Sequence, residues 1–139
     1  MALAGAVLAL LVLSLLVTTA FLTGYLEQRA ARGTADAVHA LAAAEAGLAM
    51  LGGEWEGLGL SGTLAVGDSA VLPSVPLGAR AAFTPRVWRL SEHVFLIRSD
   101  GVRVDAGGTV LARSAVGLLG RTEGVTLVPL PQRSWLHVY

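Results

Sequence analysis

Residues 1–26 read MALAGAVLALLVLSLLVTTAFLTGYL, a segment without a charged side chain in which twenty residues are apolar. A helix rises about 1.5 Å per residue, so this segment would extend about 39 Å, more than the roughly 30 Å hydrocarbon core of a bilayer. A cleaved signal peptide would instead have a basic start and a shorter apolar stretch, and this segment has neither. The segment therefore predicts a retained transmembrane helix.

The charges that flank this segment are compatible with two topologies. Arg29 and Arg32 follow the apolar stretch, and no basic residue precedes it. Under the positive-inside rule, this asymmetry would place the C-terminal domain in the cytoplasm. The asymmetry has no such meaning if a short basic leader preceded Met1 and was removed.

The next segment, EQRAARGTADAVHALAAAEAGLAML (residues 27–51), is rich in Ala and Leu and lacks proline, which predicts that the helix continues. On a helical wheel, an apolar stripe centres on Leu41, and the polar side chains lie opposite. The stripe contains Val38, Leu41, Ala44, Leu48 and Leu51, and the opposite face contains Arg29, Arg32, Asp36 and His39. We expect Leu41 and Leu48 to pack on a second layer and the helix to end at Gly52-Gly53.

One carboxylate falls inside this stripe. Glu45 lies about 40° from Leu41 on the wheel, because successive residues turn by about 100°. In one interpretation Glu45 lies at the edge of the stripe and reaches water. In the other it contacts Arg or backbone N–H donors of the sheet domain or of a neighbouring subunit, because a buried carboxylate needs such partners.

The chain beyond the helix predicts a glycine-rich connection followed by an antiparallel sheet. Residues 52–80 form the connection and are expected to hold one or two short strands, such as 63–66. Residues 81–139 form the sheet domain and tail, in which β-branched and aromatic segments alternate with turn signals. The predicted strands are 86–90, 94–98, 102–105 and 109–119, the predicted turns are 99–101 and 106–108, and the proline-interrupted tail 125–139 is interpreted as an edge strand. The predicted fold class is α+β, a long N-terminal helix packed on a small antiparallel sheet.

The composition excludes several classes of function. The chain has no Cys and no Lys, which excludes thiolate metal sites, cysteine nucleophiles, phosphate-loop lysines and Schiff-base chemistry. Ten Arg balance ten acidic residues, and this balance argues against a dedicated nucleic-acid binder. His39, His93 and His137 share no metal-ligand spacing. We therefore expect no catalytic, metal or cofactor-binding residue, no small-molecule substrate and no nucleic-acid partner.

The order of these parts resembles that of type IV pilin-like proteins. The uncharged start, Ala2-Leu3-Ala4 through Leu16, is followed late in the helix by AAAEAGL (residues 42–48). This stretch resembles the Ala-Glu-Ala signature of PilX-type minor pilins and of the large minor pseudopilins of type II secretion. The stretch FLIRSDG (residues 95–101) is similar to the strand-turn sequence of many minor pilins. The resemblance is specific over residues 1–51 and architectural beyond them.

The resemblance implies a non-catalytic minor pilin or pseudopilin that initiates or caps a type IV pilus-like filament. It further implies a bacterial single-pass inner-membrane protein whose soluble domain is periplasmic or extracellular and which is extruded in a pilus. A prepilin peptidase would remove a basic leader and methylate the amine of Met1. The implied partners are the membrane, other pilin or pseudopilin subunits and the inner-membrane assembly machinery.

Position 5 departs from the family pattern. Most pilins carry Glu there, which is thought to neutralise the terminal amine of an adjoining subunit, whereas this chain has Gly5. A subunit without that carboxylate is tolerated best at the tip, where no further subunit lies beyond it. In the alternative hypothesis, the chain is a single-span accessory subunit of another membrane complex. Its anchor would then pack through Gly5 and Ala9, whose spacing of four matches the small-xxx-small pattern of helix pairs.

Overall fold

The chain begins with one long helix, α1 (Ala2–Leu58). The structure, a computed structural model, describes residues 2–130 and 135–138. The chain divides into two units, Met1–Ala35 and Asp36–Tyr139. The helix contains an apolar stretch near its N-terminus that is long enough to cross a membrane. The structure therefore contains, as predicted, a helix that could span a membrane.

The second unit packs residues 36–58 of α1 on an antiparallel sheet. After α1 and a short helix α2 (Leu60–Thr63), the strands in the described residues are β1 (Ser69–Val71), β2 (Val75–Pro76), β3 (Ala81–Arg89), β4 (Val94–Val104), β5 (Val110–Glu123), β6 (Thr126–Pro129) and β7 (Trp135–Val138). The long strands β3, β4 and β5 form a meander. The short strands β1 and β2 pair with β3, and β6 and β7 pair with β5. The α+β layout predicted from the sequence is confirmed.

Helix α1 lies along the central strand β4 and runs in the opposite direction. The contacts follow in reverse order along the two elements: Asp36 with Arg103, Ala44 with Gly101, Gly47 with Ser99, and Trp55 with Phe95. The helix covers about 28 Å between its first and last contact, and β4 covers about 27 Å, at 1.5 Å and 3.4 Å per residue. The two elements therefore match in length, and side chains of β3 and β5 complete the core on either side.

The helix continues through Gly52 and Gly53, so the predicted end at this pair is wrong. Both glycines are exposed, and each costs about 1 kcal/mol relative to Ala in a helix. On the sheet-facing side, however, Leu51 and Trp55 are 0% and 2% exposed. Their burial outweighs the glycine cost and extends the helix. The chain leaves the helix at Gly59, whose φ of 59° is left-handed.

The apolar stripe of α1 is also displaced from its predicted position. Ala44 is fully buried, whereas Val38 is 58% exposed, so its assignment to the stripe is wrong. The buried face centres near Ala44, about 60° around the helix from Leu41. The reason is that small residues allow the helix to approach the sheet closely, so they occupy the middle of the interface.

Two further predictions for the chain after the helix are wrong. Residues 63–66 are not a strand, because Leu60–Thr63 form α2 and the first strand begins at Ser69. Residues 99–101 are not a turn, because β4 runs unbroken from Val94 to Val104. Gly101 allows the close approach of the helix in the middle of this strand and does not reverse the chain.

The predicted turn at residues 106–108 is confirmed and links β4 to β5. Asp105 organises it, because its Oδ1 accepts hydrogen bonds from the backbone N–H groups of Thr109 at 2.8 Å and Gly107 at 2.9 Å. Gly108 adopts a φ of 83°, which favours glycine. The Thr109 bond, opposed in part by desolvation and supported by Gly107, lowers the pKa of the Asp105 carboxyl below its ordinary value.

This lowered pKa predicts an acid-dependent contribution to stability. A depressed folded-state pKa stabilises the fold fully above the pKa of the unfolded chain, and the contribution is lost as the pH falls through the folded pKa. Asp105→Asn, which cannot ionise, is therefore expected to have a lower Tm than the unmodified chain near neutral pH. The difference should shrink on acidification when both are melted in detergent. A difference independent of pH would contradict the prediction.

Candidate assembly surface

The helix surface between Leu3 and Leu26 is apolar around its whole circumference. Fourteen large hydrophobic side chains in this stretch are at least 50% exposed. A helix that is apolar on every side is stable only when lipid or other helices cover it. This stretch, which we call the apolar sleeve, is therefore the candidate assembly surface of the chain.

The three threonine hydroxyl groups in the apolar sleeve bond to the helix's own backbone. Thr18, Thr19 and Thr23 each donate to the carbonyl oxygen four residues earlier, at 2.8 to 2.9 Å. A hydroxyl with such a bond is compatible with a hydrocarbon environment, where an unpaired polar group would be costly. The threonines therefore do not interrupt the apolar surface.

Gly5 and Ala9, the residues predicted to pack against a partner helix, lie on this surface. Both are exposed, and a Cβ added at Gly5 would meet no described atom within 4 Å. Within the described residues, therefore, no packing contact requires a glycine at position 5. Met1, the predicted site of processing and methylation, lies outside the described residues.

The three candidate residues in the second half of the helix have different environments. Leu48 is buried at 4% exposure, and Leu41 is half-buried at the edge of the core. Glu45 is exposed, about 100° around the helix from Ala44. Within the described residues its carboxylate makes no hydrogen bond or ion pair to the sheet. A contact with a neighbouring subunit stays a prediction.

The two stretches that carry the family resemblance form the two sides of one interface. A Cβ at Gly47 would fall 2.7 Å from Cδ2 of Phe83 and closer still to Oγ of Ser99. A Cβ at Gly101 would fall 2.5 Å from the backbone N of Ala44. Both glycines therefore allow α1 and β4 to approach each other closely.

Sequence reasoning missed the packing roles of Gly47, Gly101 and Trp55. A signal for Gly47 was present, because Ala40, Ala44 and Gly47 are spaced by four and three residues and so share one helix face. Gly101 carried no comparable signal, because a glycine after Asp100 is equally typical of a turn. The half of the interface on the helix was therefore predictable, and the half on the strand was not.

Leu48→Ala is expected to lower the free energy of unfolding by about 2–5 kcal/mol, because it removes a buried side chain and leaves a cavity. Val38→Ala is the matched control on the same helix. Its side chain is 58% exposed, so we expect a change within about 0.5 kcal/mol. Denaturant unfolding of both variants, followed by tryptophan fluorescence in detergent, measures the difference. Equal values would mean that Leu48 does not pack on the sheet.

Comparison with known proteins leaves the family open. The chain matches no protein-family profile, no curated protein and no solved structure.

Proposed function

We propose that this chain is a minor pilin or pseudopilin, a non-catalytic subunit that initiates or caps a type IV pilus-like filament. The observation that carries the proposal is the continuity of α1. One helix presents an exposed apolar sleeve in its first half and packs its second half on a small sheet. A subunit with this construction is anchored in lipid before assembly and buries the same surface against other helices afterwards.

The composition of the apolar sleeve is compatible both with lipid and with packing against other helices. Its side chains are aliphatic, aromatic, small or hydroxylated, and the described threonine hydroxyls that bond to the helix backbone add no unsatisfied donor. Exchange of lipid for apolar helices gains little from the hydrophobic effect, so close packing through small residues must drive it. Gly5 and Ala9 supply such residues near the start of the sleeve.

In this proposal the chain is a single-pass inner-membrane protein with a periplasmic or extracellular domain. In the proposal, its N-terminus is produced by removal of a basic leader. Mass spectrometry of the protein from its native host is expected to show a methylated amine on Met1. A formylated or unmodified start at Met1 would contradict the proposal and favour an accessory subunit of another membrane complex.

A separate experiment tests the proposed position of this chain in the filament. An initiating subunit is present in few copies, and its loss should reduce the number of filaments and leave their length unchanged. Quantitative proteomics of sheared filaments, with filament counts by electron microscopy of a deletion strain, measures both. Absence from sheared filaments together with unchanged filament numbers would reject the assignment. Abundance equal to that of the major subunit would reject the initiating or capping position.

A further inference from the structure

The two layers of the unit Asp36–Tyr139 carry opposite charge. Residues 36–79, which include the packed half of α1, contain five acidic residues and no basic one. Residues 80–121, which include β3, β4 and most of β5, contain seven Arg and three acidic residues. The zero net charge of the whole chain therefore conceals an acidic helix layer and a basic sheet layer.

The basic layer contains a shallow depression of about 440 Å³ on the sheet face that points away from α1. Its lining includes Arg86, Arg98, Asp100 and Arg113, with the small residues Ser114 and Ala115 beside them. Arg98 and Asp100 alternate with Ser99 and Gly101, which face the helix, so they must point to the other side. Arg86 and Arg113 share that side, because they pair with Arg98 and Val102 of β4. We call this feature the arginine depression.

The arginine depression holds one carboxylate and three guanidinium groups. Oδ1 of Asp100 lies 2.8 Å from Nε and 2.7 Å from Nη2 of Arg98. Its other oxygen, Oδ2, lies 3.7 Å from Nε of Arg86. Within the described residues, Arg113 makes no ion pair. The depression therefore has an excess of positive charge.

The fold does not require this excess. Arg86 and Arg98 are direct cross-strand partners in the β3–β4 ladder, and like charges in that position destabilise a sheet. Asp100 offsets only part of the repulsion. Because guanidinium groups bind carboxylates with paired hydrogen bonds, the geometry favours an acidic partner surface.

The solvent-exposed side of α1 is such a surface. Glu45 and Glu56 are both exposed. Glu45 and Glu56 are separated by about three helical turns and so lie on the same side of the helix. The ridge next to them carries only small residues, Ala42, Ala46, Ala49 and Gly53. A second surface can therefore approach the helix closely enough to reach the carboxylates.

We propose that the arginine depression of one copy binds the acidic side of α1 in a second copy of this chain. The two surfaces lie on opposite sides of the same unit, so the contact is heterologous and can add further copies in one direction. This contact deepens the proposed function, because filament subunits associate in this way, and two copies in an initiating complex are enough to form it. Ion pairs at its centre set the register and the partner choice.

Charge reversal in the full-length chain tests the contact. Self-association is measured by sedimentation velocity in a neutral detergent at low salt. Arg98→Glu with Arg113→Glu, or Glu45→Arg with Glu56→Arg, should each weaken association at least about tenfold. A mixture of the two double variants should restore it, because the opposing surfaces again carry opposite charge. Arg80→Glu and Asp68→Arg change exposed charges outside both surfaces and should leave it unchanged.

Disulfide trapping tests the geometry independently of affinity. The chain has no Cys, so single cysteines can be introduced without a background. Glu56→Cys mixed with Arg113→Cys should give a mixed disulfide dimer, whereas either variant alone should give none, because the contact joins unlike surfaces. The pair Asp68→Cys with Arg80→Cys is the control and should remain monomeric.

Two results would overturn the contact: association that is insensitive to both charge reversals, or trapping of the test pair no stronger than that of the control pair. Neither result depends on the filament assignment, which is tested on Met1 and on filament numbers in the native host. A chain that self-associates but lacks a methylated Met1 would retain the contact and lose the pilin proposal. A chain that has a methylated Met1 but does not self-associate through these surfaces would retain the pilin proposal and reject the contact.

Discussion

Gly101→Ala is expected to lower the free energy of unfolding by about 3–5 kcal/mol, a large loss for the addition of one methyl group. The new Cβ would fall 2.5 Å from the backbone N of Ala44 and closer still to the carbonyl oxygen of Ala40. Neither atom belongs to a side chain that can rotate away. The helix must therefore move off β4, which loosens the packing of the surrounding core. Denaturant unfolding of the full-length chain in detergent measures the loss.

Two other glycine substitutions provide matched controls. A Cβ at Gly47 would meet side-chain atoms of Ser99 and Phe83, which can adjust, so Gly47→Ala should cost less, about 1–3 kcal/mol. A Cβ at Gly53 would meet no described atom within 4 Å. Gly53→Ala should therefore stabilise the helix by up to about 1 kcal/mol. If Gly101→Ala behaved like Gly53→Ala, the close approach of α1 to β4 would be wrong.

These glycines show which parts of the fold local sequence could predict. The length and apolarity of residues 1–26 and the alanine-rich continuation predict the helix, because both signals are local. The segment SDG (residues 99–101) fits a turn as well as it fits a strand that a helix crosses. Only the position of Ala40 and Ala44 over Gly101 decides between them. That contact joins residues about sixty positions apart, and a local pattern does not contain it.

The charged surfaces, too, could be predicted only in part from local sequence. Arg98 and Asp100 are two residues apart, and this spacing alone predicts that they share a face of one strand. The register that sets Arg86 opposite Arg98 depends on how β3 and β4 pair. Net charge was a poor guide, because it adds the acidic helix layer to the basic sheet layer. Glu45 illustrates the remaining limit: its exposure follows from the displaced stripe of α1, and the contact proposed for it lies on another molecule.

Trp55→Ala is expected to have the second large effect, a loss of about 3–5 kcal/mol in the free energy of unfolding. Trp55 is 2% exposed, and its ring meets Phe95 edge-to-face with centroids 5.0 Å apart. Its Nε1–H donates to Oγ of Ser61 at 3.2 Å. Arg89 completes the cluster, because its guanidinium lies 5.5 Å from the centroid of Phe95 and donates to the carbonyl oxygen of Ser61 at 2.9 Å. The substitution therefore removes both the core packing and the tie to α2.

Trp55→Phe separates these contributions, because it keeps a ring against Phe95 and removes the hydrogen bond to Ser61. We expect a smaller loss, about 1–2 kcal/mol. Hydrogen exchange then locates the effect along the helix. In Trp55→Ala, residues 52–58 should lose protection because Gly52 and Gly53 no longer lie between two buried side chains, while residues 40–48 remain protected in the folded chain. Unchanged protection of residues 52–58 would show that the last turns of α1 are held by something other than Trp55.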